Sequence, residues 1–175
     1  MNEVMNAILT RRSIRKFTAD PIPAEVLEDL VKAALHAPSG MGKQTWQFTV
    51  VTNQEIIHRL CGLIGTELGR EGYDMYGPAA VIIPSNEKDS PWGRDDNACA
   101  MENIFLAAQS MGIGSVWLNQ LSGISDEPGV RRVLTELGIP ENHTIYGIAA
   151  LGYAADEKKE KERIGKVVEG MGEGV

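Results

Sequence analysis

The chain has 175 residues, of which 43% are hydrophobic and 23% are charged, and these proportions are those of an ordinary globular domain with a buried core. Its formal net charge of −7 argues against a general nucleic-acid surface, because such surfaces are basic. The sequence has no run of about 18 apolar residues and no apolar signal-peptide core, so we expect a cytoplasmic protein without a transmembrane helix.

The first predicted element is a short amphipathic helix followed by a basic segment. The apolar residues with helical spacing are Val4, Met5, Ile8 and Leu9. The segment at residues 11–17, RRSIRKF, then places four cations, a hydroxyl and an aromatic ring in seven residues. Cations suit the negative end of a helix dipole, and guanidinium groups beside a hydroxyl suit a phosphate monoester. The residues alone leave open a solvated basic patch and a specific anion site.

Helices and strands alternate along the rest of the chain. The patterns predict helices over residues 24–36, 54–70 and 95–111, and another that Ser125 or Asp126 caps and that runs to Leu137. They predict strands over residues 46–52, 79–84, 115–118 and 145–153. We find no repeat, linker or second domain, so we expect one domain over residues 1–175, with helices packed around a single sheet.

Several common catalytic and metal-binding patterns are absent from the sequence. Cys61 and Cys99 have no metal-ligand spacing and are expected to be free core cysteines, and the three histidines form no ligand pair. The GIGSVW segment at residues 112–117 has Trp117 where a dinucleotide fingerprint needs its third glycine. No phosphate-binding loop or nucleophile elbow is present. An enzyme of this composition would therefore need a bound cofactor for its chemistry.

Three motifs resemble those of the flavin-dependent nitroreductase family and occur in its order. They are AILTRRSIRKF at residues 7–17, APSGMGKQTWQF at residues 37–48, and YGIAALGY at residues 146–153, which a basic tail follows. The resemblance covers residues 1 to about 166. It implies an α+β fold, namely a three-layer α-β-α sandwich with a mixed central sheet. It also implies an obligate homodimer with a domain-swapped C-terminal segment, in which residues from about 154 to 175 extend onto the partner subunit.

The resemblance further implies FMN as the cofactor, bound in sites at the subunit interface. It assigns the phosphate and ribityl contacts to Arg11, Arg12, Ser13 and Arg15. It assigns the ring contacts, partly from the other subunit, to Pro38, Ser39, Gly40, Met41 and Gln44, and further ring contacts to Trp117, Leu118 and Asn119. Lys161 and Arg163 match the family's basic pair that closes on the phosphate. Two features depart from the family pattern: Gly42 stands where many relatives have Asn, and no proline precedes the basic pair.

The implied activity is transfer of a hydride from NADH or NADPH, through the flavin, to a nitroaromatic, a quinone or a similar electron-poor acceptor. No side chain is expected to be catalytic, because the cofactor carries the chemistry. A different flavin chemistry, such as dehalogenation or flavin fragmentation, and a non-enzymatic flavin-binding role both remain open, since a fold does not fix function. The Ser39-Gly40 pair also fits an ordinary turn, and Lys161 and Arg163 also fit a solvated tail.

Overall fold

A computed structural model of the chain describes residues 2–156 and 162–166. The helices are α1 (Glu3–Thr10), α2 (Ala24–Leu35), α3 (Gln54–Leu68), α4 (Gly93–Ser110) and α5 (Pro128–Glu136). The strands are β1 (Trp46–Val51), β2 (Ala80–Glu87), β3 (Gly114–Leu118), β4 (His143–Thr144) and β5 (Ile148–Gly152). A short 3-10 turn covers Gly40–Gly42. Within the described residues, no helix has the length and apolar character needed to cross a membrane.

The strands form one sheet in the order β1-β2-β5-β3, and β4 pairs with the end of β2. Every ladder between these strands is antiparallel. A single parallel bridge joins Ser13, in the basic segment, to Ser115 in β3. Over the described residues, the mixed character expected for the sheet therefore rests on this one bridge.

Helices cover both faces of the sheet, as the alternation along β2 shows. Ala80 and Ile82 belong to a core cluster with residues of α2 and α4, whereas Val81 and Ile83 belong to a second cluster with residues of α3 and α5. Successive side chains of a strand point to opposite faces, so a continuous apolar run serves two cores. The three-layer α-β-α sandwich predicted from the sequence is confirmed.

Several element boundaries differ from the sequence predictions. The last strand covers Ile148–Gly152 rather than residues 145–153, and two other differences involve proline. β2 continues past Pro84 to Glu87, because β1 pairs with it over residues 81–86. On the other side of β2, β5 pairs only with residues 80–82 and β4 only from residue 86. One side of β2 at Pro84 thus has no ladder partner, and a residue without an N–H group is tolerated there. The prediction that Ser125 or Asp126 caps the next helix is wrong. That helix begins at Pro128, since proline suits the first helical position.

The apolar face of α1 and one of the two cysteines lie on the surface rather than in the core. Only Ala7 of α1 is buried. The exposed fractions of its large apolar residues, Val4, Met5, Ile8 and Leu9, lie between 43% and 65%. Cys61 is buried as predicted, but Cys99 is exposed on α4, so its assignment to the core is wrong. The prediction for Cys99 rested on the general tendency of cysteine to be buried. For α1, periodicity defines an apolar face without showing what covers it.

Candidate functional site

The basic segment after α1 crosses the outer edge of the sheet over a pair of glycines. The Ile14 N–H donates to the Ser115 carbonyl at 2.9 Å. Gly114 and Gly152 are register partners in β3 and β5. A Cβ atom at Gly114 would lie 3.0 Å from the Ile14 side chain, and one at Gly152 would lie 2.8 Å from the Phe17 ring. The two glycines therefore give the segment room to lie directly on the sheet.

Arg11 and Arg12 each keep one buried donor without a hydrogen-bond partner. The Arg11 Nε lies 3.6 Å from Glu102 Oε1, which makes a long ion pair but no hydrogen bond, and the guanidinium carbon of Arg11 lies 5.9 Å from the centroid of the Phe105 ring. Arg12 caps the end of α1, because its Nη1 donates to the carbonyls of Leu9 and Arg11 at 2.7 and 2.8 Å. The Nε atoms of both arginines are inaccessible and have no hydrogen-bond partner among the described residues. Buried donors are usually paired, so these two suit an anionic ligand.

Ser13 and Arg15 are the exposed members of the same segment. Neither side chain has a hydrogen-bond or ion-pair partner within residues 2–156 and 162–166. The neighbouring Lys16 instead pairs with Asp156 at 3.2 Å. The guanidinium of Arg15 and the hydroxyl of Ser13 thus lie in the same segment as the two Nε donors that lack a hydrogen-bond partner. Together these groups can hold a phosphate group.

The end of β3 places Trp117 beside this segment. The indole packs at 6.3 Å, between ring centroids, from the same Phe105 ring that contacts the first arginine. Its ring also lies against Gly147, where a Cβ atom would be 2.5 Å away. Trp117 is 37% exposed and can offer a ring face to a ligand. Leu118 is buried, so only its backbone can contact a ligand, whereas Asn119 is exposed.

The loop at residues 38–44 is fastened to the first turn of α4 by Asp96, a residue that the sequence analysis missed. The Ser39 hydroxyl donates to Asp96 Oδ2 at 2.9 Å, and the Gly40 N–H donates to Asp96 Oδ1 at 2.8 Å. The Gln44 N–H donates to Ser39 Oγ at 2.9 Å. Asp96 is only 4% exposed, while Pro38 is exposed at the start of the loop. The one sequence signal for Asp96 is an acid in the first turn of a helix, which is a common feature.

The backbone of this loop is strained and lies close to a tryptophan. Three of its residues have left-handed backbone angles: φ is 53° at Met41, 65° at Gly42 and 49° at Gln44. This conformation costs a non-glycine residue about 1–2 kcal/mol. Gly40 lies so near Trp92 that a Cβ atom would be 2.4 Å from the indole. The Met41 side chain is 80% exposed.

The predicted contacts thus form two groups at different positions along α4. The loop is attached at Asp96, and the arginine segment and Trp117 meet the helix at Phe105, which is nine residues later and about 14 Å further along the axis. Arg163 is exposed, and no hydrogen bond or ion pair within the described residues joins it to either group. Lys161 lies outside the described residues.

A buried serine and histidine also contact each other, but this pair has no access to a substrate. Ser85 Oγ and His143 Nδ1 are 3.0 Å apart, and both residues are buried. Burial lowers the pKa of His143, so the ring is held in its neutral form. The pair stabilises the junction of β2 and β4.

Comparisons with known proteins identify the family. The nitroreductase family model matches residues 8–80 and 67–153. A nitroreductase from Bacteroides fragilis, solved with bound FMN, has 42% identity and a TM-score of 0.85, covering 97% of this chain and 100% of its own. A putative NADH dehydrogenase/NAD(P)H nitroreductase from Archaeoglobus fulgidus is 37% identical over 164 residues, which are 90% of this chain and 89% of the relative. An NADPH-flavin oxidoreductase from Vibrio harveyi is 30% identical over 175 residues, or 94% and 71% of the two chains. The chain belongs to the nitroreductase family.

Proposed function

We propose that this protein is an FMN-dependent oxidoreductase that transfers a hydride from NADH or NADPH to a nitroaromatic, a quinone or a similar electron-poor acceptor. Its similarity to an FMN-bound nitroreductase over 97% of the chain supports this function. The structural observation that carries the proposal is that Arg11 Nε and Arg12 Nε lack a hydrogen-bond partner among the described residues and belong to a segment beside the exposed Trp117 ring. That arrangement offers an anion site next to an aromatic face, and FMN has a phosphate and a planar ring.

The arginine segment would hold the phosphate of FMN. The Nε atoms of Arg11 and Arg12 lack a hydrogen-bond partner among the described residues, and a phosphate oxygen can accept from both. Arg15 and Ser13 are exposed and can add a charged fork and a hydroxyl. Because a phosphate monoester carries about two negative charges near neutral pH, several cations in one short segment match it well.

The indole of Trp117, the exposed Asn119 and the loop at residues 38–44 would contact the flavin ring. Leu118 would contribute only backbone groups, since its side chain is buried. When bound, FMN supplies the redox chemistry by accepting a hydride from the donor and passing it to the acceptor. The protein's own residues then bind and orient the ring and exclude water from it, and none of them needs to be consumed in the reaction.

We also propose an obligate homodimer with FMN sites at the subunit interface. The four exposed apolar side chains of α1 form a face that a second subunit can cover. The separation of the two contact groups by about 14 Å along α4 favours sites that combine groups from two subunits. In this proposal residues 1–175 form one FMN-binding domain, and residues from about 154 onward extend onto the partner.

Flavin binding gives the direct test of the proposed function. The purified protein should contain FMN, identified by the mass of the released cofactor, and NADH or NADPH should bleach it and support nitroaromatic turnover. Arg15→Ala should weaken FMN binding about 10- to 100-fold, as expected for a charge-assisted hydrogen bond. Arg132→Ala is the matched control, because Arg132 is an exposed arginine of α5.

Three results would count against the proposal. Bound FAD, or no flavin after reconstitution, would exclude the FMN assignment. Tight FMN that neither NADH nor NADPH reduces would leave only a flavin-binding protein. An equal dissociation constant for Arg15→Ala and Arg132→Ala would remove Arg15 from the site.

Sedimentation tests the dimer separately. Ile8→Lys, on the exposed face of α1, should produce monomers or aggregates, whereas Leu68→Lys, at an exposed apolar position on α3, should stay dimeric. A folded wild-type monomer with bound FMN would contradict the interface sites.

A further inference from the structure

Asp96 holds the loop at residues 38–44 by two hydrogen bonds from one carboxylate. One oxygen accepts the Ser39 hydroxyl at 2.9 Å, and the other accepts the Gly40 N–H at 2.8 Å. Asp96 is nearly inaccessible and has no ion-pair partner among the described residues. Its position in the first turn of α4 compensates for this, because the positive end of the helix dipole stabilises a carboxylate.

The carboxylate also determines what Ser39 can offer to a ligand. A hydroxyl group has one proton, and a carboxylate can only accept a hydrogen bond. The proton of Ser39 is therefore directed to Asp96, and one lone pair of Ser39 Oγ accepts the Gln44 N–H at 2.9 Å. What remains is a single acceptor position. Ser39 consequently cannot donate a hydrogen bond to a flavin while it is held in this way.

The strain in the loop explains why such a clamp is needed. Met41 and Gln44 both have positive φ angles without being glycine, and such residues persist only where their surroundings over-determine them. The bonds to Asp96 and Ser39 fix the chain on both sides of Met41. Without them, the loop would relax toward ordinary backbone angles, and its display of Met41 and Gln44 would be lost.

We propose that Asp96 is a positioning residue of the flavin site, which acts through Ser39 and Gly40 to hold the loop in its binding conformation. The Ser39 hydroxyl then holds the loop in its conformation and does not donate a hydrogen bond to the flavin. The inference rests on the proposed function, because it assigns the loop to the flavin ring. The clamp itself is a property of the protein without any ligand, so the two can be tested separately.

The test measures loop opening and FMN binding in the same variants. In flavin-free protein, opening of the loop should speed trypsin cleavage after Lys43, and mass spectrometry of the new ends at Lys43 and Gln44 measures the rate of this cut. Asp96→Ala should speed this cut by at least about tenfold and weaken FMN binding about 10- to 100-fold. When the variant is saturated with FMN, the visible circular dichroism of the bound flavin should differ from that in the wild-type protein. Asp95→Ala removes the neighbouring exposed acid from the same helical turn and should change neither.

The variants Ser39→Ala and Asp96→Asn test whether Asp96 affects FMN binding through its hydrogen bond with Ser39. Because Asp96 acts partly through Ser39, which also accepts the Gln44 N–H, the loss of FMN affinity in the double variant Ser39→Ala/Asp96→Ala should be smaller than the product of the two single losses. Asp96→Asn should lose less than about tenfold, since its amide can accept the Gly40 N–H and donate to Ser39. It also serves as the conservative variant if Asp96→Ala does not fold.

Each contrary outcome points to a different error. Losses that multiply in the double variant, or effects of Asp96→Ala equal to those of Asp95→Ala, would overturn the inference. Faster cutting with unchanged FMN affinity would also overturn it, while leaving the proposed function intact. A wild-type protein that binds no FMN would refute the proposed function and with it any flavin role of the loop, and the wild-type measurement alone identifies that case.

Discussion

The packing of Trp117 on Gly147 can be tested by adding a single methyl group. In Gly147→Ala, the new Cβ atom would lie 2.5 Å from both Cε2 and Nε1 of the indole. Carbon contacts are normally about 3.5–4.0 Å, so the ring would have to move by roughly 1 Å. Because Trp117 is partly exposed whereas Gly147 is buried, we expect the indole to swing outward and the backbone to stay.

The expected loss of stability follows from two opposing effects. Overpacking costs about 1–3 kcal/mol, and replacing glycine by alanine returns about 0.4–1 kcal/mol through the unfolded chain. The net loss therefore lies between about 0 and 2.6 kcal/mol. A chain of this size loses about 2–4 °C in Tm for each kcal/mol, so Tm should fall by up to roughly 10 °C.

Thermal denaturation of Gly147→Ala, Gly62→Ala and Trp117→Ala separates these effects. Gly62 is an exposed position of α3 with no atom within 4 Å of its Cβ, so Gly62→Ala should raise stability by about 0.5–1 kcal/mol. Trp117→Ala removes the clashing ring, so Gly147→Ala should cost nothing further in that background. If Gly147→Ala stabilises the protein as Gly62→Ala does, or if its cost persists without the indole, the packing argument is wrong.

Three further predictions concern single positions. Burial lowers the pKa of His143 below 6.5, so the unfolded chain binds its proton first and the stability of the protein falls as the pH drops below that value. His143→Asn keeps a polar atom facing Ser85 and should reduce the difference in Tm between about pH 7.5 and 5.5. An unchanged difference in Tm would contradict this. At Gly42, where φ is 65°, Val should cost about 1–2 kcal/mol in urea denaturation and Asn clearly less, and equal costs would show that the angle is not required. Burial raises the pKa of Cys61 to about 11, so a thiol reagent at about pH 8 should label Cys61 only after unfolding, as mass spectrometry of a Cys99→Ser variant would show.

Much of the fold was readable from local sequence because single residues specify it. Asn53 caps α3 with its side chain, and Gly138 takes the left-handed angle that follows α5. The apolar run from Ala80 to Ile83 predicts a strand buried on both faces. Such signals lie within a few residues of the structure they determine.

The candidate site was only partly predictable, because its key contacts join distant parts of the chain. Asp96 contacts Ser39 across 57 positions, and nothing near Asp96 distinguishes it from any other acid in a first helical turn. Periodicity likewise identified the apolar face of α1 but could not tell that this chain leaves Ile8 and Leu9 uncovered. The family motifs identified the loop at residues 38–44 as part of the site, and the structure showed that hydrogen bonds to Asp96 hold it.

The spacing of the two contact groups along α4 has a genetic consequence. A twofold dimer whose sites combine the loop of one subunit with the arginine segment of the other has two equivalent sites. Co-expression of an Arg15→Ala chain with an Asp96→Ala chain would then give mixed dimers in which one site carries both defects and the other carries none. Two impaired alleles would complement each other at the protein level. If each site were built within a single chain, every site in the mixed dimer would remain defective.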